Sequence, residues 1–141
     1  MRDNDLRTAW VEGAKGLGIG QTITLKPKDA YVTEIALLNG FVSNEALYYA
    51  NARIKKLRVE VECGEGAEET ERHQAQEVTL PDRPYKDFNP RFPFSSVDWV
   101  VQHPEDSGFI DKVKLTILEV YPGRKYEDTA VTELYICGRG R

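Results

Sequence analysis

The chain has 141 residues, 40% of them hydrophobic and 30% charged, with a net charge of -4 and a pI near 5.3. That length builds one ordinary domain with one buried core. The mild acidic balance excludes the basic stripe of a nucleic-acid binder. No apolar run approaches the roughly 20 residues that a membrane-spanning helix needs, and no charged-then-apolar leader precedes Asp3.

In chain order, the first phrase is DNDLRTAWVEG, Asp3 to Gly13, a charged loop ahead of a strand. GLGIG, Gly16 to Gly20, has neither the spacing nor the strand-then-helix context of a dinucleotide fingerprint, so it reads as a tight turn. QTITL and YVTEIALL follow as strands, separated by the turn signal KPKD. SNEALYYANA, Ser43 to Ala52, is the one helical turn, with Ser43 as its cap and Leu47 facing inward.

From there the period is two. In KLRVEVE, Leu57, Val59 and Val61 alternate with Lys56, Arg58, Glu60 and Glu62, a strand with one wet face. The acidic stretch Cys63 to Glu77 reads as a polar hairpin tip leading into the strand EVTL. Pro81 to Trp99 carries Tyr85, Phe88, Phe92, Phe94 and Trp99 among prolines. Its rings are either tucked over the core edge or displayed to a partner. VDWVV, KVKLTI and TAVTELYI complete the strands, giving seven or eight in all. The expected core is Leu57, Val59, Val61, Val113, Leu115, Ile117, Leu134 and Ile136. The fold class is all-β, an antiparallel sandwich or jelly roll filling residues 1–141 as a single domain.

Candidate chemistry is sparse. The two cysteines, Cys63 and Cys137, each close a strand, and are either a disulfide across neighbouring strand ends or two separate half-buried thiols. His73 and His103 lie in polar segments with no nucleophile placed beside them, and no acid pair stands out for glycosidic cleavage. The chain therefore reads as no enzyme. By alternation Glu133 shares a face with Val131 and Tyr135, and a buried carboxylate there needs a cation or hydrogen bonds.

Five motifs fall in order along the chain. D-x-D-x-x-T-A-W at Asp3 to Trp10 resembles the calcium loop of discoidin and family-32 carbohydrate-binding modules, the galactose-binding-domain-like jelly rolls. WVEGAKGLGIG from Trp10, NGF from Asn39, N-x-R-x-K at Asn51, Arg53 and Lys55, and YPGRKYEDTAVTEL from Tyr121 make the series more specific. Together they resemble the NADase-type glycan-binding domain, named for the translocation domain of a streptococcal NAD glycohydrolase toxin.

The resemblance implies a non-catalytic β-sandwich cut from a longer exported bacterial protein that works outside the cell or at its surface. It implies a structural Ca²⁺ held by Asp3, Asp5, Thr8 and Glu133, against the simpler reading in which the Asp side chains cap loop N–H groups. Its main functional implication is binding of an oligosaccharide or glycoconjugate, with Tyr48, Asn51, Arg53, Lys55 and Trp99 as the ligand-binding residues. In the plainer reading Arg53 and Lys55 only pair with Glu12 or Asp128. The alternative function is a protein-interaction or translocation module with no sugar ligand, for which the ring-rich Pro81 to Trp99 segment supplies the surface.

Overall fold

The alternation in KLRVEVE and KVKLTI builds the centre of the molecule. The computed structural model describes residues 10–11, 18–26, 30–63, 73–102 and 110–140. Its strands are β1 (Trp10–Val11), β2 (Thr22–Leu25), β3 (Ala30–Asn39), β4 (Arg53–Cys63), β5 (His73–Thr79), β6 (Asp98–Gln102), β7 (Ile110–Tyr121) and β8 (Ala130–Gly140). One helix, α1 (Glu45–Ala50), links β3 to β4. All pairings between strands are antiparallel, in two four-stranded sheets ordered β1-β8-β3-β6 and β2-β7-β4-β5.

The sheets pack face to face. Leu57, Val59 and Val61 of β4 and Val113, Leu115 and Ile117 of β7 meet Ile35 and Leu37 of β3, Val100 and Val101 of β6 and Val131 and Leu134 of β8. Every expected core residue is buried there except Ile136, whose side chain lies outside the described residues. Strands with alternating burial close such a core because each pleat sends every second side chain inward.

Irregularities mark where simple alternation fails. The β3–β6 register passes from Ile35↔Val101 to Ala36↔Trp99, so Val100 and Val101 are buried in succession while Trp99 stands on the outer face. In β8 the register passes from Leu38↔Glu133 to Asn39↔Val131. The skipped residue, Thr132, donates its hydroxyl to the Gly40 carbonyl (2.7 Å) and accepts from the Val42 N–H (3.0 Å). This corrects the alternation reading: Val131 joins the inter-sheet core, Tyr135 packs on the outer face, and Glu133 stands opposite Leu38.

The local expectations fare unevenly. Gly18 and Gly20 take φ of 77° and 91°, so the described end of GLGIG, Gly18 to Gly20, is a turn, with Gln21 N–H donating to the Gly18 carbonyl at 2.9 Å. The helix is shorter than SNEALYYANA. Asn44, not Ser43, caps it by accepting from the Leu47 N–H (2.9 Å), and Tyr48 rather than Leu47 is its buried residue. Strand β5 begins at His73, within the stretch expected to be a hairpin tip, because β4 is long enough to pair residue by residue back to Glu62↔His73. Cys63 ends β4 in one sheet and Cys137 lies in β8 of the other.

Candidate functional site

The NGF and N-x-R-x-K motifs meet at one corner of the sandwich. Asn39 clamps the start of β4: its Nδ2 donates to the Ile54 carbonyl (2.7 Å) and its Oδ1 accepts from the Ile54 N–H (3.0 Å). Gly40 then turns the chain at φ 91°. A Cβ there would lie 2.7 Å from the Tyr48 ring and 3.1 Å from Arg53 Cδ, so the turn needs glycine on two counts. Asn51 closes α1, its Nδ2 and backbone N–H both donating to the Leu47 carbonyl at 3.0 and 3.2 Å.

Arg53 occupies the centre of that corner and is only 6% exposed. Its Nη2 pairs with Asp82 at 2.7 Å and its Nη1 donates to the Tyr48 carbonyl at 3.2 Å. The guanidinium carbon lies 4.6, 5.7 and 5.9 Å from the ring centres of Tyr48, Tyr49 and Tyr121. The same rings tie down the segment after β5. Tyr48 donates its hydroxyl to the Arg83 carbonyl (2.6 Å), and Tyr121 donates to that of Leu80 (2.7 Å). Arg83 in turn donates twice to buried Asp98, at 2.8 and 3.1 Å.

Burial dominates the electrostatics here. It pushes the Tyr48 hydroxyl up to about 12, although the Arg53 charge pulls the other way. Burial also lifts the Asp98 carboxyl above the usual carboxylate range, outweighing its bonds from Arg83. Arg53 is thus partnered by Asp82, not by Asp128, whose backbone carbonyl instead accepts from the Ala52 N–H at 2.8 Å. Glu12 lies outside the described residues. Of the five expected ligand-binding residues, Tyr48, Asn51 and Arg53 are buried in this framework. Lys55 is half-exposed, its Nζ 5.7 Å from the Tyr121 ring, and Trp99 is set apart on the outer face of the other sheet.

The segment from Pro81 to Trp99 does both things its rings allow. Tyr85 and Phe88 fold down onto Ala36, Leu38, Val42 and Tyr48, forming a second small core on the outside of the β1-β8-β3-β6 sheet. Phe92, Phe94 and Trp99 point outward, with exposures of 68%, 45% and 37%. Phe94 sets its edge against both Trp99 (5.4 Å) and Tyr135 (5.2 Å). The register explains the grouping, since Trp99 and Tyr135 flank Ala36 from either side. The aromatic residues of the segment are visible in the sequence; Tyr135, Asp82, Arg83 and Asp98 are partners that only the fold supplies.

Asp82 and Asp98 are held by arginines, and His73 lies 3.6 Å from Glu60 on an exposed strand. Among the described residues no group of three or more His, Cys, Asp or Glu is arranged to hold an ion. Asp3, Asp5 and Thr8 lie outside the described residues, as does His103; Glu133 is fully buried in β8.

Comparison with known proteins agrees with this architecture. The model of the family described as "NAD glycohydrolase translocation F5/8 type C domain" matches residues 1–137. Among solved structures, the Streptococcus pyogenes NAD+-glycohydrolase translocation domain is similar, with a TM-score of 0.57 and 22% identity over 92% of this chain and 96% of that one. At that identity the likeness shows the shared sandwich fold. No curated protein matches the chain.

Proposed function

We propose, from the premise that this chain belongs to the NAD glycohydrolase translocation family of F5/8 type C domains, that it is a non-catalytic targeting module that docks a protein partner. The observation that carries this reading is the ring cluster of Phe94, Trp99 and Tyr135, with Phe92 exposed two residues before Phe94 in the chain. Exposed contiguous rings on a sheet face are costly in water and mark interaction sites. Aromatic residues are enriched in the centres of protein interfaces, where they supply most of the binding energy. The family's name supports a role in delivering or placing an attached activity, and hence action outside the cell or at its surface.

Binding of an oligosaccharide through the five residues expected from the resemblance is the second reading. It keeps Trp99 as an accessible stacking ring and Lys55 as a partly accessible cation. Tyr48, Asn51 and Arg53 would then act only by holding the corner's shape. A pull-down from cell-surface extracts separates the two. The immobilised chain should capture the same protein before and after enzymatic deglycosylation, and a Phe92→Ala/Trp99→Ala variant with unchanged Tm should lose it. Loss of capture on deglycosylation, or full capture by the double variant, would reject the protein-docking reading.

We also propose a structural Ca²⁺ held by Asp3, Asp5, Thr8 and Glu133. What supports it is the chemistry of the donor set, all hard oxygens. Such an ion would tie the first loop to the last strand and take no part in a reaction.

A further inference from the structure

The YPGRK turn is used by neither reading above, yet its construction is specific. Gly123 lies against the end of α1, where a Cβ would stand 2.6 Å from the Asn51 carbonyl carbon and 2.8 Å from the Ala52 nitrogen. No side chain fits there. That close approach lets the N–H groups of Arg124, Lys125 and Tyr126 donate to the carbonyls of Tyr49 (2.8 Å) and Ala50 (3.1 and 2.8 Å). The turn thereby lays Arg124 and Lys125 alongside the helix.

Arg124 is held in place as well as delivered. Its guanidinium lies 4.8 Å over the Tyr49 ring. That ring is itself fixed: its hydroxyl accepts from the Tyr85 N–H (3.0 Å), and it meets Tyr48 edge-on at 5.1 Å. Stacking on an aromatic face leaves the in-plane N–H fork of an arginine available. Among the described residues neither Arg124 nor Lys125 takes part in an ion pair. Beside them opens a groove of about 400 Å³ lined by Glu45, Ala46, Tyr49, Ala50, Arg124 and Lys125. Basic residues at a helix end often do no more than complement its dipole. A helix of six residues offers little dipole, and that role needs neither a stacked guanidinium nor an open groove.

We propose that this groove binds the terminal, carboxylate-bearing sugar of a glycan, a sialic acid or a uronic acid. The guanidinium fork matches a planar carboxylate in bidentate fashion, with Lys125 adding a second cation. Ala46 and Ala50, one turn apart on the helix, give a smooth floor for the sugar's C–H surface. Glu45, across the groove, accepts hydrogen bonds from hydroxyl groups and repels a second negative charge. The ligand is therefore singly anionic and rich in hydroxyls, which disfavours polyphosphates, sulfated polymers and acidic peptides. A net charge of -4 opposes polyanions further. This site is separate from the ring face and does not rest on protein docking there.

The test is titration of the full chain with sialyllactose, glucuronic acid, lactose, inorganic phosphate and an acidic peptide at fixed ionic strength. Amide chemical shifts and calorimetry give the readout. At least one of the two acid sugars should bind and shift residues around α1 and Arg124, while lactose should not. Arg124→Ala and Arg124→Lys should each weaken that binding about tenfold or more with Tm unchanged, because lysine keeps the charge and loses the fork. A Phe92→Ala/Trp99→Ala variant should bind the sugar as before. Equal response to lactose or phosphate, preference for the acidic peptide, full binding by Arg124→Lys, or no response to either acid sugar would overturn the proposal.

Discussion

Replacing Arg53 by alanine tests whether the corner is framework. The side chain is buried against three tyrosine rings, so deleting its stem loses roughly 2 kcal/mol of apolar burial. The desolvated cation–π stack adds about 2 kcal/mol, and the bond to the Tyr48 carbonyl about 1 kcal/mol. The pair with Asp82 adds at most about 1 kcal/mol, since the Asp82 side chain is 52% exposed and its charge stays solvated when the arginine is gone. Allowing for relaxation of the rings, the cost is about 4 kcal/mol. A domain of this size loses about 3 °C of Tm per kcal/mol, so Arg53→Ala should melt about 10 °C lower. Asp82→Asn should lower Tm by no more than about 3 °C. The assay is thermal melting followed by circular dichroism, with the native spectrum confirmed at low temperature. If Arg53→Ala moves Tm by less than about 3 °C, or Asp82→Asn costs as much as Arg53→Ala, the stacked guanidinium is not what holds the corner.

Two further predictions bear on proton and metal linkage. The Tyr48 hydroxyl is raised by burial to about 12 against 10 for free tyrosine. The unfolded chain therefore releases this proton first, and the stabilisation is fully present below pH 10 and lost between about 10 and about 12. Tyr48→Phe should remove that alkaline decline, and stability against denaturant measured across this range checks it; an unchanged slope would exclude Tyr48 as its source. If Ca²⁺ binds the native state at Asp3, Asp5, Thr8 and Glu133, a hundredfold excess over Kd adds about 2.7 kcal/mol. Chelation should then lower Tm by several degrees and Glu133→Gln should abolish the difference. No difference in the parent chain would leave Asp3 and Asp5 as loop caps.

The fold is legible because its signal is local and repeated. Leu57, Val59 and Val61 in β4 and Val113, Leu115 and Ile117 in β7 declare one buried face each, and as neighbours in one sheet they present a shared apolar face that a second sheet must cover. Periodicity fails wherever the backbone inserts a residue. Val100 and Val101 are buried in succession, and Thr132 displaces Glu133 from the face it would share with Val131, because bulges shift the alternation by one. The cap of α1 is missed for a different reason. Ser43 and Asn44 are both good caps, and the fold selects the second because Tyr48, not Leu47, has to reach the pocket above Gly40.

The site was harder to read because its chemistry is made by pairs far apart in sequence. A Tyr-Tyr-x-x-x-Arg run with a lysine two residues on looks like a sugar platform when written in one line. Asp82 and Tyr121 turn the same run into a packed joint, and neither is adjacent to it in the chain. Partner charge decides which arginine is structural. Arg53 meets a carboxylate and disappears into the fold, and Arg83 meets Asp98. Arg124 stacks on Tyr49 with no ion pair among the described residues. An arginine whose orientation is fixed and which meets no carboxylate among the described residues is more informative about binding than one that is buried, since a buried guanidinium such as that of Arg53 has already committed its charge to a partner within the fold. By that criterion the binding candidates of this corner are the rim residues Arg124 and Lys125, as proposed above, whereas Tyr48, Asn51 and Arg53 of the stretch that first draws the eye are buried in its frame.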